Sequence, residues 1–93
     1  MYAHVVMFRL KDPERLEEAA AMLRTLDGNV PSLRAIEVGI DDSPQERSSH
    51  ICLITRFDDR AGYEAYHHDP FHQELLGRFG PLLAEVRKVD WPG

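Results

Sequence analysis

Along the first ten positions the apolar residues split between two sides of an extended chain, with His4, Val6, Phe8 and Leu10 on one side and Val5 and Met7 on the other. Ala3 to Lys11 is therefore expected to be a strand. Asp12-Pro13 reads as an N-cap followed by a first-turn proline, so a helix is expected from about Pro13 to Asp27. Its inward face is Leu16, Ala19, Ala20, Leu23 and Leu26, at three- and four-residue spacing, with Gly28 placed to end it. Leu33 to Ile40 and His50 to Phe57 read as second and third strands joined by a polar loop from Asp41 to Ser49. Asp58 and Asp59 announce another helix, expected to turn Ala61, Ala65 and Tyr66 inward, to break at Asp69-Pro70 and to resume with Phe71, Leu75, Leu76 and Phe79. Pro81 kinks or ends it, and Val86 to Trp91 forms a short last strand.

The order βαββαβ predicts an α+β fold in which one antiparallel sheet carries its helices on one face. The opposite face is not polar, because Val5 and Met7 in the first strand and Cys52 and Ile54 in the third point to it. Two helices cover only one face, so the second is expected to pack against another copy of the chain in a two-fold homodimer.

At 93 residues the chain is expected to be a single domain, residues 1–93. Sixteen acidic against eleven basic residues, net charge −5, with no Lys/Arg cluster, argue against nucleic acid as a partner. No apolar stretch approaches the roughly 20 residues that span a bilayer, so no membrane partner is expected and the protein is expected to be cytoplasmic. Cys52 is the single cysteine, which excludes an internal disulfide, and its apolar strand setting favours a buried, inert thiol. There is no Gly-rich phosphate loop, and neither a cofactor nor a metal is expected.

The chemistry concentrates in Tyr66-His67-His68-Asp69-Pro70-Phe71-His72, which holds three of the five histidines. Asp69 caps the helix that Pro70 opens, and His72 sits in its first turn, where the helix dipole favours neutral imidazole over imidazolium. His4 and His50 start apolar strands. Tyr63, His67 and His68 are expected at a rim or on the surface.

Four segments together resemble the stress-responsive dimeric α/β-barrel (Dabb) family: His4 to Leu10, Leu33 to Gly39, the strand through Phe57, and Tyr66 to His72. The last is similar to the family's Tyr-x-x-His-Pro-x-His pattern, with Asp69 where histidine is common. The resemblance implies a ferredoxin-like protomer and a dimeric barrel. It also implies a possible activity, since plant members cyclise a linear polyketide by aldol condensation, and their functional positions match His4, His50, Tyr66 and His72 here. On that resemblance the protein binds a small apolar or carbonyl ligand between sheet and helices, with His72 as base, Tyr66 as donor to the enolate oxygen, and His4 and His50 orienting the ligand or relaying protons. Three other readings stay open: a metal held by His68 and His72, a cofactor-free monooxygenase of the related barrel type, and a non-catalytic stress-responsive dimer.

Overall fold

The computed structural model describes residues 1–93 as a four-stranded antiparallel sheet in the order β2-β3-β1-β4, with three helices against one face. The elements are β1 (Tyr2–Leu10), α1 (Leu16–Arg24), β2 (Ala35–Ile40), β3 (Ile51–Phe57), α2 (Arg60–His68), α3 (Pro70–Phe79) and β4 (Leu83–Pro92). This is the α+β arrangement expected from the order of elements, and the ferredoxin-like protomer that the family resemblance implies. β1 and β3 form the centre of the sheet and contribute its most regular alternation, with Val6, Phe8, Leu53 and Phe57 buried beneath the helices.

Local chemistry sets the boundaries. Asp12 accepts from the Glu14 backbone N–H at 3.0 Å, but what it opens is a 3-10 turn, Pro13–Arg15, before the α-helix proper begins at Leu16. The helix ends sooner than its apolar periodicity, because Thr25, Leu26 and Asp27 make i→i−3 bonds that tighten the last turn, and Gly28 then takes a positive φ of 79°. Leu33 belongs to the turn before β2 and not to the strand, since its N–H bonds Val30 O. β4 is longer than expected because it pairs with the whole of β1, from Tyr2↔Pro92 to Leu10↔Leu83, with an irregularity between Arg9 and Leu10.

The second helical stretch is broken where expected. Asp69 ends α2, and its Oδ1 accepts from the backbone N–H groups of Phe71 (2.8 Å) and His72 (3.4 Å), so one side chain caps α3 while Pro70 opens it. The inward residues of α2 match the expectation at Tyr66 and differ at the rest. Ala61 and Ala65 are exposed, and the buried pair is Tyr63 and Tyr66, three positions apart. Two tyrosines remove far more apolar surface from water than two alanines, and Tyr66 and Phe57 are the largest fully buried side chains of the chain. Phe57 meets both tyrosines, with ring centroids 5.7 Å from Tyr63 and 5.1 Å from Tyr66.

The other face of the sheet has no cover within the chain. Met7, Val89 and Trp91 are exposed there, beside half-buried Val5, Cys52 and Ile54. No helix is long and apolar enough to cross a membrane.

Candidate active site

Between the sheet and the helices lies a cavity of about 170 Å³. Most of its wall is aliphatic or aromatic, from Val6 and Phe8 of β1, Leu23 of α1, and Leu75 and Phe79 of α3. One end is different. There His4 comes from β1, Tyr66 and His67 from α2, and His72 from the first turn of α3, with Lys88 of β4 also on the wall, so five proton-carrying side chains line a pocket that is otherwise apolar.

The rings are in close mutual contact. Tyr66 and His72 stack with centroids 4.0 Å apart at 32°, His67 stands 5.9 Å from His72 and 6.1 Å from His4, and His4 is 6.2 Å from Tyr66. The Asp69 cap makes this possible, because the break between α2 and α3 turns His72 back against Tyr66. Nδ1 of His72 is buried and has no hydrogen-bond partner. Burial lowers the pKa of His72 and, helped by the neighbouring His4, that of His67, so both imidazoles are neutral at pH 7. Burial raises the Tyr66 hydroxyl above its ordinary value, with Tyr63 adding to the effect, so it stays protonated.

A carboxylate completes the cluster. Asp90 of β4 pairs with His4 in the strand register, and the two side chains are joined through His4 Nδ1 and Asp90 Oδ1. Asp90 Oδ2 accepts from the Tyr63 hydroxyl at 3.0 Å and from Lys88 Nζ at 2.6 Å. Burial opposes ionisation of Asp90, but the hydrogen bonds from Lys88, His4 and Tyr63 outweigh it and bring its pKa to about 2. Tyr63 is therefore no rim residue. It is 8% exposed, bonded to Asp90, and its ring lies 4.9 Å from His4 and 4.5 Å from His67. His67, also expected at the surface, lines the cavity. Sequence reasoning missed Asp90, Lys88 and the inward turn of Tyr63 and His67. The one available signal was the i,i+3 pair Tyr63/Tyr66, which marks a helix face.

Of the four residues predicted as a site, the structure brings His4, Tyr66 and His72 together and leaves His50 apart. His50 Nδ1 accepts from the Leu10 backbone N–H at 2.9 Å, and the His50 backbone N–H donates to Phe8 O at 2.8 Å, which ties it to the far end of β1. His4 pairs with Thr55, five positions along, so the two histidines are separated by roughly 16 Å of strand at ~3.3 Å per residue. His50 lines a different, open depression with Met7, Ile40 and Cys52. The expected ligand-orienting role for His50 in this cavity therefore does not fit the protomer. His68 is exposed while His72 is buried, and the two lie on separate helices, so they do not form the ligand pair that their spacing offered. Cys52 is half-buried, and burial, with the nearby Glu37, raises its thiol pKa, as expected for an unreactive cysteine.

Comparison with known proteins supports the same architecture. A family model described as the stress responsive A/B barrel domain, Dabb, matches residues 2–92. A dimeric ferredoxin-like protein of unknown function from Thermobifida fusca YX superposes with a TM-score of 0.85 at 24% identity, over 99% of this chain and 90% of that one. At3g17210 from Arabidopsis thaliana gives 0.86 at 22% identity, over 100% and 95%. Hydroxynitrile lyase from Passiflora edulis gives 0.83 at 16% identity, over 97% and 90%. No curated protein sequence matches the chain. At these identities the likenesses establish the fold.

Proposed function

This chain belongs to the Dabb family of stress responsive A/B barrel domains, and we propose that it is a homodimeric protein that binds a small, apolar, carbonyl-bearing compound and moves protons on it. The observation that carries this reading is the end of the cavity where His4, Tyr66 and His72 meet, with Asp90 bonded to His4 behind it. A neutral imidazole takes a proton from the carbon beside the carbonyl. The protonated Tyr66 hydroxyl donates to the oxygen as enolate charge develops, in a setting whose low polarity strengthens that bond. An enolate so formed attacks a second carbonyl of the same molecule, which is the aldol cyclisation expected from the family resemblance. The cavity volume suits a body of about one ring, since an engineered apolar cavity of about 150 Å³ holds benzene. Dimerisation through the open sheet face is supported by Met7, Val89 and Trp91 being exposed there, and by the dimeric description of the Thermobifida fusca relative.

The test requires no knowledge of the natural substrate. Acetophenone is a one-ring ketone with exchangeable methyl protons, and in D2O the protein should exchange them for deuterium faster than buffer does, followed by proton NMR. Tyr66→Phe and His72→Ala should each lower that rate by roughly 10²-fold while remaining folded. Exchange at the buffer rate, with acetophenone shown to bind, would leave a ligand-binding dimer without catalysis.

A further inference from the structure

We infer that Asp90 is the positioning residue that makes His4, and not His72, the general base of the cavity, an inference that rests on the acid–base reading above. His4 is 5% exposed, and its Nδ1 is joined to Asp90 Oδ1 across two paired strands. An ionised carboxylate only accepts hydrogen bonds, so Nδ1 carries the proton and the lone pair belongs to Nε2 at the other end of the ring. Asp90 is itself held. Its side chain is 10% exposed, and the second oxygen takes bonds from Tyr63 of α2 and Lys88 of β4. Three elements thus fix one carboxylate, and that carboxylate fixes one imidazole.

His72 has no carboxylate bonded to its ring. Its Nδ1 is unpaired and its ring is stacked on Tyr66, in surroundings that oppose a positive charge. An imidazole backed by a carboxylate gains a fixed tautomer and stabilisation of the imidazolium that forms when it takes a proton, and an imidazole in apolar surroundings gains neither. His4 Nε2 removes the proton beside the ligand carbonyl. The C–H electron pair forms the enolate double bond, and the carbonyl π pair moves onto oxygen, which accepts from Tyr66. His72, stacked on Tyr66, forms the wall beside it. The imidazolium of His4 then returns its proton to the alkoxide of the aldol product, or, with a ketone in D2O, exchanges it for solvent deuterium before reprotonating carbon.

Asp90→Asn tests this, because the amide keeps the shape of the carboxylate yet offers N–H to His4 and so favours the opposite tautomer. The tautomer of His4 is read from the ¹⁵N shifts of its ring nitrogens, and the chemistry from acetophenone exchange. The wild-type protein should show a protonated Nδ1 and a bare Nε2, and Asp90→Asn should reverse them and slow exchange by roughly 10²-fold with folding retained. His4→Gln should slow exchange as much, and the double variant no further. A wild-type His4 protonated on Nε2, or an Asp90→Asn protein exchanging at the wild-type rate, would overturn the assignment; the first of these needs no variant to fold. Wild-type protein that leaves acetophenone unexchanged while His4 shows the expected tautomer overturns the acid–base function, and the base assignment with it.

Discussion

The two faces of the sheet are built from the same strands by alternate residues, and they end in opposite states. On the helix side, β1 buries His4, Val6 and Phe8, and β3 buries Leu53, Thr55 and Phe57. On the other side the intervening Met7 is exposed, and Val5, Cys52 and Ile54 are only half-buried. Both faces are apolar, so hydrophobicity alone does not separate them. What separates them is that the covered face admits polar groups only where each can be used or paired, at the His4–Asp90 end, whereas the open face mixes apolar side chains with Arg56, Glu37 and Arg87 as an association surface does. An apolar face with sequestered proton carriers suits a small ligand, and an apolar face with peripheral charges suits a second chain.

The largest effect that would break the comparison is on the covered face. Phe57→Ala empties a site that is 0% exposed beneath Tyr63 and Tyr66, and should cost about 3–5 kcal/mol in urea unfolding. Set against a typical total of roughly 5–15 kcal/mol, that is a third or more of the stability of an average domain. A charge on the open face should act differently. Met7→Asp with Val89→Asp should weaken self-association by at least about 30-fold, as loss of ~2 kcal/mol at an interface centre does, and sedimentation velocity should show monomers. Leu76→Asp places the same charge on an equally exposed residue of the helix side and should leave the oligomeric state unchanged.

Smaller changes sharpen the contrast within the covered face. Asp69→Ala removes the cap of α3, which should cost about 1 kcal/mol and, because His72 is in that first turn, slow acetophenone exchange more than the stability loss alone explains. Melting against pH should show the mildest effect. His72 and His67 are held below the ordinary histidine value of 6.5 in the fold, so the unfolded chain binds protons first, and stability should begin to fall as pH drops below about 6.5. His72→Phe should flatten part of that slope. Asp90 acts lower on the scale. Its pKa is depressed from 3.8 to about 2, so the stability it contributes is complete above about 3.8 and is lost as pH falls through about 2.

Much of this molecule is legible in the chain. Strand alternation from His4 to Leu10, the Asp12-Pro13 and Asp69-Pro70 starts and the apolar second face of the sheet are all local features, because caps and side-chain periodicity depend on residues a few positions apart. They led to an α+β fold with its helices on one face of the sheet and to the segment holding Tyr66 and His72, and the family resemblance added the ferredoxin-like protomer. Where local periodicity was ambiguous it misled: Ala61 and Ala65 share a helical face with good spacing, but Tyr63 and Tyr66 have more surface to bury and took the interior.

Which histidines meet was beyond local reasoning. His4 and Asp90 are 86 positions apart and become neighbours only through the register of β1 with β4. The same registers carry His50 away, since β3 runs antiparallel to β1 and its first residues lie at the opposite end of the sheet from His4. Local sequence therefore determined the elements and the residue types available for chemistry. The tertiary structure decided which of them share a cavity, because strand pairing fixes distances that no spacing along the chain encodes.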